Sequence, residues 1–221
     1  MKADSEINQL GKEAWLNAAL YSLRRQGVEG VKILSLARLL NVSRTGFYWH
    51  FKDRQALLEE ILRHWEATNT GNLIRRAAAY GESLNEAIFN LYDCWLDDAL
   101  FDGGLDLAIR GWARSDAGVK QRLQAADTAR QQALEAMFIR HGMSDEQAYT
   151  RAMTMLYTQI GYLSMQVAEP VALRIARMPA YAEIISGTAP SLGEINRLRA
   201  RHGLAPLGAD APGAPVPATP R

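Results

Sequence analysis

The 221-residue sequence has a single cysteine, no proline before residue 170, and no apolar run near the roughly 20 residues that span a bilayer. Cys94 alone closes no intramolecular disulfide, so nothing points to an oxidising compartment. The opening Met1-Lys2-Ala3-Asp4-Ser5-Glu6 is polar and leads into no signal-peptide core, which makes the cytoplasm the expected location and a membrane no expected partner. Charge of one sign is also lacking. With 25 basic and 24 acidic side chains, binding to a polyanion depends on where the charges sit. Enzyme signatures are missing as well: there is no G-x-G-x-x-G, P-loop, G-x-S-x-G or H-E-x-x-H pattern. His50, His64, His141 and His202 are scattered and make no metal cluster with one cysteine. No catalytic residue, metal or cofactor is expected, and the chain is not expected to be an enzyme.

What is present is helical periodicity. A chain without proline over most of its length runs long helices without losing backbone donors. Trp15, Ala18, Ala19 and Leu23 share one helical face, which stops at Gly27. Leu57, Leu58, Ile61, Leu62 and Trp65 form another stripe. Ser83-Leu84-Asn85-Glu86 and Ser144-Asp145-Glu146-Gln147 have capping-box form, and Asp116 can cap a long helix that Gly142 ends. No alternating strand pattern occurs. The expected fold class is all-α with eight or nine helices. Beyond Ala205 the chain is rich in Pro, Ala and Gly with little to bury, so 205–221 is expected to be a disordered tail.

Residues 30–60 carry the functional signal. Leu36, Ala37 and Leu40 make an apolar face, and Asn41 interrupts it with a side chain that tolerates a left-handed backbone. Val42 plugs the corner, and Ser43 is a good N-cap for a second short helix. Helix, tight turn and short helix is the spacing of a helix-turn-helix. The side chains that follow suit a DNA duplex. Arg44 can pair bidentately with guanine, and Thr45 can reach a phosphate or a thymine methyl. Gly46 leaves room for close approach of the backbone, while Tyr48 and His50 carry polar tips for phosphate oxygens. Lys52, at the start of the next helix, would hold an anion together with free backbone N–H groups. Trp49 either packs or flanks the groove, and Phe47 and Phe51 face inward.

This stretch resembles the DNA-binding domain of the tetracycline-repressor (TetR) family of bacterial transcription regulators. The residues that carry the resemblance are Leu36-Ala37, Val42-Ser43-Arg44, Phe47-Tyr48-Trp49-His50-Phe51-Lys52-Asp53 and Leu57-Leu58. They lie within about 50 residues, from Trp15 to Trp65. Two positions depart from the family pattern. Lys32 replaces the usual capping threonine and is a candidate phosphate contact, and Asn41 replaces the usual turn glycine. Residues 1–65 hold four Lys and six Arg against two Asp and five Glu, a small positive surplus that suits phosphate.

The resemblance implies a helix-turn-helix domain over 1–53, a connecting helix over about 54–76, and a ligand-binding and dimerisation domain over 54–204. It further implies a homodimeric repressor that a small-molecule effector releases from a palindromic double-stranded DNA operator. Residues that suit an effector cavity are Trp65, Phe89, Tyr92, Trp95, Phe101, Trp112, Met137, Tyr149, Met153 and Tyr157, although a helical core would use the same aromatics. The helix over 145–167 is apolar on more than one face, which makes Ala152, Met155, Tyr162, Leu163 and Gln166 the expected dimer contacts, with Val171–Ile185 beside them. A helical ligand-binding or protein-interaction module without DNA binding is the competing reading.

Overall fold

Gly11 precedes the first helix, α1 (Lys12–Gln26), which buries the expected face of Trp15, Ala18, Ala19 and Leu23. It stops at Gly27, whose φ of 68° suits a residue without a β-carbon. The computed structural model describes residues 11–208. A 3₁₀ turn (Val28–Gly30) leads to α2 (Ile33–Leu39), a second 3₁₀ segment (Arg44–Trp49), α3 (Arg54–Trp65), a π-turn (Glu66–Thr70) and α4 (Gly71–Ala78). Then come α5 (Leu84–Leu96), α6 (Gly103–Trp112), α7 (Ala117–Arg140), α8 (Asp145–Ser164), α9 (Val171–Ser186) and α10 (Leu192–Arg201). The fold is all-α, with no strand among the described residues. No helix among them is long and apolar enough to cross a membrane.

The helix starts follow local chemistry. Asp53, Asp102, Ser144 and Ser191 each accept a backbone N–H in the first turn of the helix they precede. Such a cap is worth about 1 kcal/mol. Asp116 accepts from the Val119 N–H at 3.0 Å, as its position suggested. The Ser83 box is only half formed. Ser83 Oγ accepts from the Glu86 N–H, but the Glu86 carboxylate turns to the Glu82 N–H and to Arg197.

Packing divides the chain into two compact units, Met1–Gly71 with Asp102–Thr128 and Asn72–Phe101 with Ala129–Arg221. In the first, Trp15, Leu23, Leu36, Phe47, Leu57, Ile61 and Trp65 form a core that α6 closes with Leu105, Ile109 and Trp112. The Trp15 and Phe47 rings meet edge-on at 5.4 Å, and Phe51 stacks on Phe47 at the same distance. In the second unit, Phe89, Leu91, Phe101, Met137, Phe138, Ala152 and Met178 are core. There Arg151 Nε donates to the Ile185 carbonyl at 2.7 Å, tying α8 to α9.

Of the expected tail, 209–221 lie outside the described residues. Residues 205–208 have no regular secondary structure, yet Leu207 is held. Its N–H and its carbonyl both pair with the Asn196 side chain, at 2.7 and 3.1 Å.

Candidate nucleic-acid interface

The corner begins where α2 ends. Asn41 has φ 56°, the left-handed conformation expected of it. Its N–H reaches the Arg38 carbonyl at 3.1 Å and the Val42 N–H reaches Ala37 at 2.9 Å. These two bonds satisfy the last carbonyls of α2 in the Schellman arrangement. Val42 is half-buried against the first core.

Ser43 occupies the N-cap position with an extended backbone, but its hydroxyl makes no capping bond. The Gly46 N–H instead reaches the Ser43 carbonyl at 3.2 Å. The six residues Arg44–Trp49 accordingly form the expected second short helix with 3₁₀ winding. At three residues per turn, side chains at i and i+3 eclipse. Thr45 and Tyr48 therefore share one side, and both are exposed. Gly46 falls on the inner side and is buried with Phe47, so its expected close approach to a duplex is corrected.

Ser43, Arg44, Thr45, Tyr48 and Trp49 form a nearly continuous exposed run in front of the buried Phe47. Trp49, left open between packing and flanking, is 79% exposed and does not pack. His50 is half-buried at the end of the turn. Lys52 is exposed, but the helix start beside it is partly occupied, because Asp53 Oδ1 accepts from the Ala56 N–H at 2.8 Å. Lys32 stands exposed at the other end of α2, about 10 Å along the axis at 1.5 Å per residue. It supplies no cap, as its side chain dictates.

The sequence reading missed Arg54. Its Nε and Nη2 donate to the carbonyls of Val31 and Val28 at 2.6 and 2.7 Å. It thereby fixes the segment that carries Lys32, and no local pattern announces a contact over more than 20 positions. Lys12 also supports the corner: it ion-pairs with Glu60 at 2.9 Å and lies 5.6 Å from the Phe51 ring centroid. The Lys12 hydrogen bond, reinforced by Arg63, holds the Glu60 carboxyl below its ordinary value against the opposing effect of burial.

Residues 16–61 match the family model described as "Bacterial regulatory proteins, tetR family". The match to the tetR family is confined to this segment. It is similar to tetracycline repressor protein class C of Escherichia coli, at 40% identity over 55 residues, which is 25% of each chain. Similarity to the class A tetracycline repressor from transposon 1721 of E. coli is 32% over 71 residues, 32% of this chain and 33% of that one. The chain thus spans about a quarter to a third of these curated relatives. Over a longer stretch its fold resembles Salmonella enterica GusR, with a TM-score of 0.58 at 16% identity, covering 86% of this chain and 93% of that one. A transcriptional regulator from Rhodococcus sp. Rha1 gives a TM-score of 0.56 at 18% identity, covering 86% and 97%. The family-model match ends four residues before Trp65.

The expected effector residues separate. Tyr92 and Trp95 line a cavity of about 230 Å³ in the second unit. Trp65 and Trp112 belong to the core of the first unit, and Phe89, Phe101 and Met137 are core in the second. Met153 is half-buried against that core, and Tyr149 and Tyr157 are exposed. For these eight, helical spacing marked a buried or an outer stripe and not a cavity wall. The expected dimer contacts separate too. Ala152 and Met155 are covered by their own chain, because the inner face of α8 serves the second core. Tyr162 and Leu163 are half-buried, and Gln166 is exposed with φ 51°. The outward apolar side chains of this region include Tyr157, Met165, Val167, Val171, Leu173, Tyr181 and Ile184.

Proposed function

We propose that this chain is a DNA-binding transcription regulator, a repressor that acts as a homodimer on a palindromic operator and leaves it when a small molecule binds the C-terminal half. The carrying observation is the run of exposed Ser43, Arg44, Thr45, Tyr48 and Trp49 over a buried aromatic support, on a segment that matches the tetR family. Polar tips displayed on a rigid corner have a use against phosphates and base edges. In this reading Arg44 addresses guanine, Thr45 and Tyr48 work side by side on a phosphate and a thymine methyl, and Trp49 flanks the groove. Lys52, Lys32 and His50 add backbone contacts.

The outer apolar side chains of α8 and α9, Ile184 (74% exposed) and Tyr157 (64% exposed) among them, support self-association. Two-fold symmetry then places two reading turns in successive major grooves, which demands a palindromic site. An effector moves such an equilibrium only by binding one conformer better. Full switching takes about 5.5 kcal/mol of difference.

The test is retention of the protein on duplex DNA as salt rises. Affinity is expected to fall by orders of magnitude between about 50 and 200 mM salt. Substituting Arg44, Thr45 and Tyr48 together should abolish the sequence-specific footprint. A footprint indifferent to that triple change refutes the site, and a folded monomer in sedimentation at micromolar concentration refutes the dimer. No retention at low salt leaves the helical module without DNA binding.

A further inference from the structure

Residues of α5, α8 and α9 line the 230 Å³ cavity of the second unit. Its walls are mostly aromatic and aliphatic, with Tyr92, Trp95, Tyr162, Met178 and Tyr181 prominent. Two polar groups in this lining lack a partner that their chemistry favours. The first is the half-buried Arg174. Its Nη2 donates to the Trp95 carbonyl at 2.8 Å, and its guanidinium carbon lies 5.0 Å from the Tyr162 ring centroid. Neither neighbour is a carboxylate, whereas Arg177 in the same lining is ion-paired with Glu169. The second is the indole Nε1 of Trp95, which is buried without a hydrogen-bond partner in a residue only 8% exposed. A half-buried cation without a counter-charge and an unpaired buried donor are both uncommon in a finished core.

We propose that this cavity binds a small, one-ring aromatic carboxylate, with its carboxylate on Arg174 and its ring against the aromatic walls. The charge balance agrees. Arg174 and Arg177 against Glu169 leave one positive charge, which a single carboxylate neutralises. The chemistry agrees as well. A carboxylate accepts parallel N–H bonds from a guanidinium, so it supplies the counter-charge that Arg174 lacks. Size favours a small ligand, because the volume lies below the ~300–1,000 Å³ of sites for drug-sized molecules. The proposal deepens the effector reading and rests on it for the consequence of binding, though not for the binding itself.

Isothermal titration of the full chain with benzoate, benzamide and benzylamine tests the proposal. Benzoate is expected to bind once per chain, the isosteric amide at least about tenfold more weakly, and the amine not at all. Arg174→Gln should lower benzoate affinity by a similar factor and leave benzamide within about twofold, a split that a purely structural arginine would not produce. Arg174→Lys should restore part of the loss. If Arg174→Gln does not fold, the benzoate-to-benzamide ratio of the unaltered protein decides. Equal affinities, no heat with millimolar benzoate, or an indifferent Arg174→Gln would overturn the site. So would a Tyr157→Glu monomer that gains benzoate binding absent from the dimer, since a second copy would then fill the groove. Duplex retention without benzoate is measured in parallel. If it holds while benzoate fails, only the cavity proposal falls; if it fails while benzoate binds, only the regulator reading falls.

Discussion

The Trp65 indole donates from Nε1 to the buried Asp106 carboxylate at 2.9 Å, linking α3 to α6. The other Asp106 oxygen accepts from Arg110 Nε at 2.9 Å, and both terminal nitrogens of Arg110 reach Asp127. A tryptophan that its spacing offered as a cavity wall is a strut of the first unit. Asp106→Ala should therefore cost about 1–3 kcal/mol by removing the buried carboxylate that the Trp65 indole and Arg110 Nε share. The expected signature is a lower urea midpoint with an unchanged slope. An unshifted midpoint would contradict the strut.

Asn41 holds a left-handed conformation at the end of α2. Asn41→Val should cost about 1–2 kcal/mol, because a branched β-carbon crowds the carbonyl there, while Asn41→Gly should be neutral or slightly stabilising. Thermal melts of the two variants should move in different directions or by clearly different amounts. Equal losses would show that the side chain, and not the backbone, sets the turn.

Glu194 supplies the acid-sensitive contact of the second unit. Burial raises its pKa, but bonds from the Ser83 and Ser191 hydroxyls and the Ser191 N–H, with Arg197 nearby, outweigh it and hold the carboxyl below the ordinary glutamate range. The folded-state value is the lower one. Its contribution is therefore fully present above the unfolded value of about 4.3 and is lost as pH falls from there through the folded value. The melting temperature should drop over that interval, and Glu194→Gln should flatten the drop. A variant with the same acid limb would assign the loss elsewhere.

Cys94 is fully buried in the second core, and burial pushes its thiol up to about 12. Thiolate-specific reagents should therefore not label the native protein near neutral pH, and labelling should track urea unfolding. Prompt labelling in the native state would mean that α5 opens locally.

The corner was legible because its determinants are adjacent in the chain. The left-handed Asn41, the plugging Val42 and the inward Phe47 and Phe51 stand where local chemistry put them. The 3₁₀ winding and the burial of Gly46 were not legible, because six residues are too few to establish an apolar period. The Asp53 cap was readable from an N-cap residue ahead of an apolar stripe, yet it was passed over for the lysine beside it. Arg54 had no signal at all, because its acceptors lie on the far side of α2 in the chain. Ala152 and Met155 show the same limit on a larger scale. A two-faced apolar helix does not reveal which stripe its own subunit will claim.

The turn after α2 is closed by main-chain bonds from Asn41 and Val42, and the segment after it is anchored by the buried Phe47 and by main-chain bonds from Gly46, His50 and Phe51. The exposed side chains of Arg44, Thr45 and Trp49 stand outside that frame, whereas the Tyr48 ring meets Phe47 edge-on at 5.3 Å. The scaffold is thereby decoupled from its message. Under the proposed DNA reading, a library randomised at Arg44, Thr45 and Trp49 should yield folded proteins with altered target preference, making this corner an exchangeable reading head.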